Sequence, residues 1–172
     1  MRTLILGGAR SGKSRLAEKL AADTGLAVTY IATAEAHDPE MAGRIEQHRA
    51  RRHAHWNVVE EPLALAGAIE MHGAPDRCVL VDCLTLWLTN LLLHPEPETF
   101  ARERAALLNV VARAPGRLIL VGNETGMGIV PMGELSRRFC DEAGWAHQEL
   151  AALCDNVLLT VAGLPLTLKG TR

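Results

Sequence analysis

The stretch Gly7-Gly8-Ala9-Arg10-Ser11-Gly12-Lys13-Ser14 constrains this chain more than any other segment of its length. A glycine, four residues and Gly-Lys-Ser form the pattern of a phosphate-binding loop, provided a strand precedes it and a helix follows. Both are in place: Thr3–Leu6 reads as a buried strand, and Ser14–Gly25 has helical spacing with a glycine at its end. Each residue type has a physical reason. Glycines let backbone N–H groups curl round phosphate oxygens, and the start of a helix adds a favourable dipole. Lys13 would reach the β- and γ-phosphates, and the Ser14 hydroxyl would ligate Mg²⁺. A nucleoside triphosphate is the expected ligand.

The rest of the chain repeats the alternation. Ala27–Thr33, Trp56–Glu61, Arg77–Leu84 and Arg117–Glu124 read as strands, and Asn156–Gly170 supplies one or two more. Helical patterns fill the gaps at His37–Arg52, Pro62–Gly73, Leu84–His94, Thr99–Gly116 and Gly133–Cys154. In the first of these Asp38 is a natural N-cap, Pro39 fits the first helical position and Glu40 suits the positive end of the dipole. Continuously apolar strands separated by helices predict an α/β fold: one mostly parallel sheet with helices on both faces, in a single domain over residues 1–172.

A phosphate loop needs an acid at the end of another strand to hold magnesium through water. Asp82, closing Val79-Leu80-Val81, is that candidate, so Ser14 and Asp82 are the expected metal residues. Val121–Pro131 ends a further strand with Asn123 and Glu124 and then turns on glycines. Its Gly-x-Gly-x-x-Pro portion lacks the third glycine of a dinucleotide fingerprint, and a loop beside the phosphate site fits better. No NKxD-type base-recognition motif of a GTPase follows an apolar strand, and Asp141-Glu142-Ala143-Gly144 meets the separate DxxG pattern only by accident, inside a helical pattern. A small-molecule kinase or a nucleotidyltransferase is the class that remains.

Composition closes other routes. The net charge of −2 argues against general nucleic-acid binding, which wants a basic domain. Cys78, Cys83, Cys140 and Cys154 form no CxxC pair and read as small buried residues in a reducing compartment. The first apolar run is too short for a signal peptide, and Leu84–Leu93 reaches about half a membrane span. A cytoplasmic protein without membrane insertion is expected.

Several segments in order, among them Leu4–Ala21, Asp38–Arg52, Val79–Leu92, Asn123–Pro131 and Leu135–Gly144, carry a resemblance. Along its whole length the chain resembles the bifunctional adenosylcobinamide kinase/adenosylcobinamide-phosphate guanylyltransferase family of cobalamin biosynthesis. The resemblance implies a P-loop NTPase fold of the RecA-like kind and a homotrimer. It implies two reactions: phosphorylation of the aminopropanol hydroxyl of adenosylcobinamide by ATP or GTP, then transfer of GMP from GTP onto that phosphate through a guanylylated histidine. The matching histidine is His48. Lys13 joins it as the second catalytic residue. The nucleotide contacts implied are Gly7, Gly8, Ala9, Arg10, Ser11, Gly12, Lys13, Ser14, Thr33, Ala34, Glu35, Arg49, Ala50, Arg51, Arg52, Glu60 and Asp82. Partners are adenosylcobinamide, its phosphate and the nucleotides, with Mg²⁺ as cofactor and no zinc.

The residues around His48 admit that role and a plainer one. Met41, Ile45, His48 and Arg52 recur at four- and three-residue steps, so His48 shares the face that packs toward the domain. A neutral imidazole there can attack the α-phosphorus of GTP, with Arg44 and Arg52 offsetting charge on the phosphate oxygens. Periodicity alone favours a core-edge histidine bonded to a backbone carbonyl, and the resemblance reverses that preference. His37 precedes the helix, and His53 and His55 lack a third ligand at useful spacing. His72, His94 and His147 read as surface or helix-end residues, and Trp56 as a packing anchor. Relatives often carry Asn where this chain has His147, and some carry Glu for Asp82. Arg137 matches a basic family position, with phosphate contact and solvated charge as equal readings. A kinase without guanylyl transfer, a non-catalytic nucleotide-binding protein and an RNA binder resting on the arginines are the competing functions.

Overall fold

The computed structural model describes residues 1–35, 43 and 55–170. The helix expected over His37–Arg52 falls outside them save for Gly43, and so do His48, Arg49, Ala50, Arg51, Arg52 and His53. In chain order the described elements are β1 (Arg2–Gly7), α1 (Lys13–Asp23), β2 (Ala27–Ala32), β3 (Asn57–Glu60), α2 (Leu65–His72), β4 (Arg77–Asp82), α3 (Leu84–Leu92), α4 (Pro97–Arg113), β5 (Arg117–Asn123), α5 (Glu134–Leu153), β6 (Asn156–Val161) and β7 (Leu164–Lys169). These match the strand and helix order read from the sequence, with ends shifted by a few residues.

All seven strands form one sheet in the order β3-β2-β4-β5-β1-β6-β7. Every pairing is parallel except β6 with β7. The final strand is therefore an antiparallel edge, joined to β6 by a tight turn with Ala162 at φ 51° and Gly163 at φ 79°. Two successive positive φ values suit the right-handed twist of a hairpin. Ala-Gly is a weaker turn signal than Asn-Gly, and the sequence reading accordingly left open whether one or two strands lay here.

Strand parity divides the core into two layers. Leu4, Leu6, Val79, Val81, Leu118 and Leu120 face α2, α3, α4 and α5, packing on Ile69, Trp87, Leu107, Val111, Ala146 and Leu150. Ile5, Tyr30, Cys78, Leu80, Ile119 and Val121 face the other way, onto Ala17 and Ala21 of α1. Trp56 joins this second layer at 7% exposure, as a packing anchor should. Cys78, Cys83 and Cys154 are buried and Cys140 is half-buried; desolvation pushes the Cys78 and Cys154 thiols up to about 11. None of those buried thiols is poised for chemistry.

Local signals explain the helix ends. Glu61 accepts the amides of Leu63 and Ala64 at 3.0 and 2.8 Å just before α2. Pro97 and Glu98 open α4 and Arg113 closes it, each on the favourable side of the dipole. The strands are aligned so that the carboxyl ends of β1, β2, β3, β4 and β5 fall along one side of the sheet. That is where ligands gather in open parallel sheets.

Candidate active site

At that side β1 ends on Gly7, and the chain turns through residues 8–12 before α1 starts at Lys13. Arg10 (φ 56°) and Gly12 (φ 97°) lie in the left-handed region, so the loop curls and turns its amides inward. Gly12 is also the N-cap of α1, with no side chain capping the helix and no acid in its first turn. The first amides of α1 are thus left for an anion. Three neighbours hold the loop in this shape. Ser11 N–H bonds the Gly8 carbonyl at 3.2 Å, Glu124 N–H bonds the Gly7 carbonyl at 3.0 Å, and Gly163 N–H bonds the Ser11 carbonyl at 2.8 Å. The β6–β7 hairpin therefore braces the phosphate loop. A Cβ on Gly12 would come 3.1 Å from the Gly163 Cα, which explains small residues on both sides of that contact.

Lys13 is buried, at 8% exposure, and its ammonium donates to the Gly8 carbonyl at 3.1 Å. A phosphate oxygen competes readily for such a donor, because a charged acceptor outbids a neutral carbonyl. Ser14 is half-buried on the first turn of α1. Asp82 continues Cys78 and Leu80 in strand parity, so it lies on the α1 face of the sheet, like Lys13 and Ser14. Tyr30 donates its hydroxyl to Asp82 Oδ2 at 3.0 Å, fixing the carboxylate without neutralising it. A hydroxyl and a carboxylate on one face supply hard oxygen donors, the chemistry that Mg²⁺ prefers.

The other expected site residues are distributed unequally. Ala34 is half-buried and Glu35 exposed, just past β2. Thr33 is fully buried: its hydroxyl donates to the Cys83 carbonyl at 2.6 Å and accepts the Cys83 amide at 2.9 Å, while Asn90 Nδ2 takes its carbonyl at 2.8 Å. Its side chain ties β2 to β4, which leaves Ala34 and Glu35 as the surface of that segment. Glu60 shares a register row with Ala32 and Asp82, but on the edge strand. Four strand spacings separate it from β1, about 19 Å. Asp82 lies two strand spacings from β1, about 10 Å, with β5 between them; Glu60 is at the far end of the row.

Some residues were not singled out by sequence reading. Asn90 donates to the carbonyls of Thr33 and Pro62, and Thr85 Oγ accepts the Asn123 amide at 3.1 Å. Buried Asn and Thr in an otherwise apolar helix are the signal that could have found them. Arg137 donates to the carbonyls of Pro131 and Met132, so the guanidinium secures the loop before α5.

His147 requires a correction. Expected at a surface or helix end, it sits within α5 at 6% exposure, pressed against β5 where Gly122 leaves room. The sequence carries a histidine amid helical polar residues, and only the packing of α5 on the sheet reveals that this position faces inward. A Cβ on Gly122 would meet His147 Nε2 at 2.7 Å. Gly122→Ala is therefore expected to cost about 1–3 kcal/mol through overpacking. Urea unfolding would read the loss as a lower midpoint, and an unchanged midpoint would refute the contact.

Burial holds the His147 imidazole below its ordinary value near 6.5, with the nearby Glu124 pulling weakly the other way. The unfolded chain then takes up a proton below that pH which the folded chain refuses. Stability should fall as pH drops through about 6.5, and the slope should vanish only once the folded group protonates too. His147→Asn should remove this component. Comparing urea midpoints of the two proteins at about pH 7.5 and about pH 5.5 isolates it from the other histidines; equal pH slopes would disprove the assignment.

A family model described as Cobinamide kinase / cobinamide phosphate guanyltransferase matches residues 3–168. The chain is 65% identical over 170 residues to the bifunctional adenosylcobalamin biosynthesis protein CobP of Pseudomonas aeruginosa, covering 99% of this chain and 98% of that one. It is 43% identical over 182 residues to the corresponding protein CobU of Salmonella typhimurium, covering 98% and 100%. Among solved structures, a Pyrococcus horikoshii OT3 protein superposes with TM-score 0.57 at 10% identity, covering 99% of this chain and 87% of that one. The RadB recombinase superposes with TM-score 0.51 at 17% identity, covering 92% and 73%. At such identities these two share the fold alone.

Proposed function

The chain belongs to the cobinamide kinase / cobinamide phosphate guanyltransferase family, and from that premise we propose that it performs both reactions of adenosylcobalamin biosynthesis on adenosylcobinamide. In the first, the aminopropanol hydroxyl attacks the γ-phosphorus of ATP or GTP; a new P–O bond forms, the β–γ bridge breaks and the hydroxyl proton leaves. In the second, a nitrogen of His48 attacks the α-phosphorus of GTP and pyrophosphate departs. The phosphate of adenosylcobinamide phosphate then displaces His48, giving adenosylcobinamide-GDP.

The observation that carries this reading is the uncapped, left-handed loop at Gly7–Lys13, facing a carboxylate on the same side of the sheet, in a chain 65% identical to a bifunctional relative. Lys13 and the amides of residues 8–14 bind and orient the β- and γ-phosphates. Ser14, and Asp82 through water, would hold Mg²⁺, which offsets phosphate charge when bound. Ala34, Glu35 and Glu60 line the far side, and Arg49, Ala50, Arg51 and Arg52 accompany His48. An α- and a γ-phosphate cannot both occupy one reacting centre, so nucleotide or protein rearranges between steps. The protein works as a cytoplasmic homotrimer in this reading. Among the described residues no helix is long and apolar enough to cross a membrane.

The test supplies purified protein with adenosylcobinamide, Mg²⁺ and first ATP, then GTP, and follows the corrinoid by mass spectrometry. A phosphorylated corrinoid followed by its GDP ester is the expected result. Phosphorylation with no second product would leave a kinase only, and neither product would refute the proposal.

A further inference from the structure

The two halves of the nucleotide site are not on adjacent strands. β5 lies between β1, which bears the phosphate loop, and β4, which bears Asp82. Asn123 closes β5 directly in register with Gly7, and Val121 is in register with Asp82. Parity continues from Ile119 and Val121, so the Asn123 side chain lies on the α1 face, with Lys13, Ser14 and Asp82. It is therefore the β5 side chain that stands at the level of the phosphate loop, one strand spacing from β1 and one from β4, about 5 Å each way.

The Asn123 amide oxygen is buried and finds no hydrogen-bond donor among the described residues. Its backbone, by contrast, is fixed: the Asn123 N–H bonds Thr85 Oγ, and Thr85 is itself 3% exposed. A rigidly held acceptor left without a donor is unfavourable to the fold, and such groups persist where function uses them. The chemistry of the missing partner is restricted. Phosphate oxygens only accept, so they cannot satisfy a carbonyl-type oxygen; the partner must bring an O–H or N–H.

We infer that Asn123 is a positioning residue for the phosphoryl acceptor, its amide oxygen receiving the hydrogen bond of the attacking alcohol beside the γ-phosphate. The inference rests on the two-step reading above and adds the residue that orients the alcohol. Holding the hydroxyl oxygen in line with the γ-phosphorus lowers the barrier by orientation, and the group need not take the proton.

Asn123→Ala separates this role from others. Because the side-chain oxygen has no partner among the described residues, the variant should melt no lower than the parent. Its rate of adenosylcobinamide phosphorylation should fall at least about tenfold. Binding of ATP, the Mg²⁺ concentration for half-maximal rate, and the rate of GMP adduct formation on the protein, which uses no alcohol, should stay within about twofold. Asn123→Thr, which keeps an oxygen acceptor at this strand end, should recover part of the phosphorylation rate. An unchanged phosphorylation rate, or a loss shared by Mg²⁺ dependence and adduct formation, overturns the assignment; the latter would place Asn123 on the metal's water shell. Failure of the parent protein to phosphorylate adenosylcobinamide would instead refute the proposed function itself.

Discussion

Lys13→Ala is expected to abolish both transfers. The ammonium is a buried cation of the phosphate loop, at 8% exposure, and among the described residues it donates to a neutral carbonyl, that of Gly8. In the proposed mechanism it exchanges that carbonyl for phosphate oxygens on nucleotide binding, where charge is already high and rises at the reacting phosphorus. Groups placed this way in a water-poor site are worth about 10²–10³-fold each in rate. The loss should be larger here because Lys13 also anchors the nucleotide. The fold should survive: a buried ammonium whose partner among the described residues is a neutral carbonyl adds little stability, and Ala favours the first turn of α1. Thermal melting should thus be unchanged while corrinoid phosphorylation and GMP adduct formation both disappear. Activity above about a tenth of the parent in a well-folded variant would remove Lys13 from the machinery.

His48→Asn should divide the two reactions. Asparagine keeps a polar side chain of similar reach but has no nucleophilic nitrogen, so no phosphoramidate can form. Intact mass after incubation with GTP and Mg²⁺ should show an acid-labile GMP adduct on the parent and none on the variant. Guanylyl transfer should fall by about 10⁶-fold, the scale on which loss of a covalent nucleophile is felt. Phosphorylation of adenosylcobinamide should persist, since in the proposed scheme γ-phosphoryl transfer uses the loop, Lys13 and the metal. An adduct that survives the substitution would reassign the nucleophile. Loss of both activities without loss of structure would show that His48 serves the first step as well.

These two expectations rest on residues found by different routes. Lys13 was legible because a phosphate loop is a local object: its glycines, lysine and serine are contiguous, and an apolar strand and a patterned helix flank it. The expectation for His48 comes only through resemblance, since helical periodicity alone favours a packed imidazole over a reactive one. Asp82 lay between these cases. Its place at the end of an apolar run marked it as exposed on the ligand side, but its face depended on strand parity, and its Tyr30 partner on a neighbouring strand. His147 was misread because a histidine on an amphipathic helix has no sequence mark of burial; Gly122, far away in sequence, provides the space.

By itself, the sequence determined the elements and their order, the phosphate loop and the family, because these depend on nearest-neighbour patterns and on residues close together in the chain. Only the tertiary structure decided the order β3-β2-β4-β5-β1-β6-β7, which sets β5, and Asn123 at its end, between the loop and Asp82. It also decided that the Ala162-Gly163 turn braces the phosphate loop and that the Thr33 side chain is spent tying β2 to β4. The physical reason is common to all three. Strand pairing and side-chain hydrogen bonds join residues tens of positions apart, and which partner wins depends on the packing of the whole sheet.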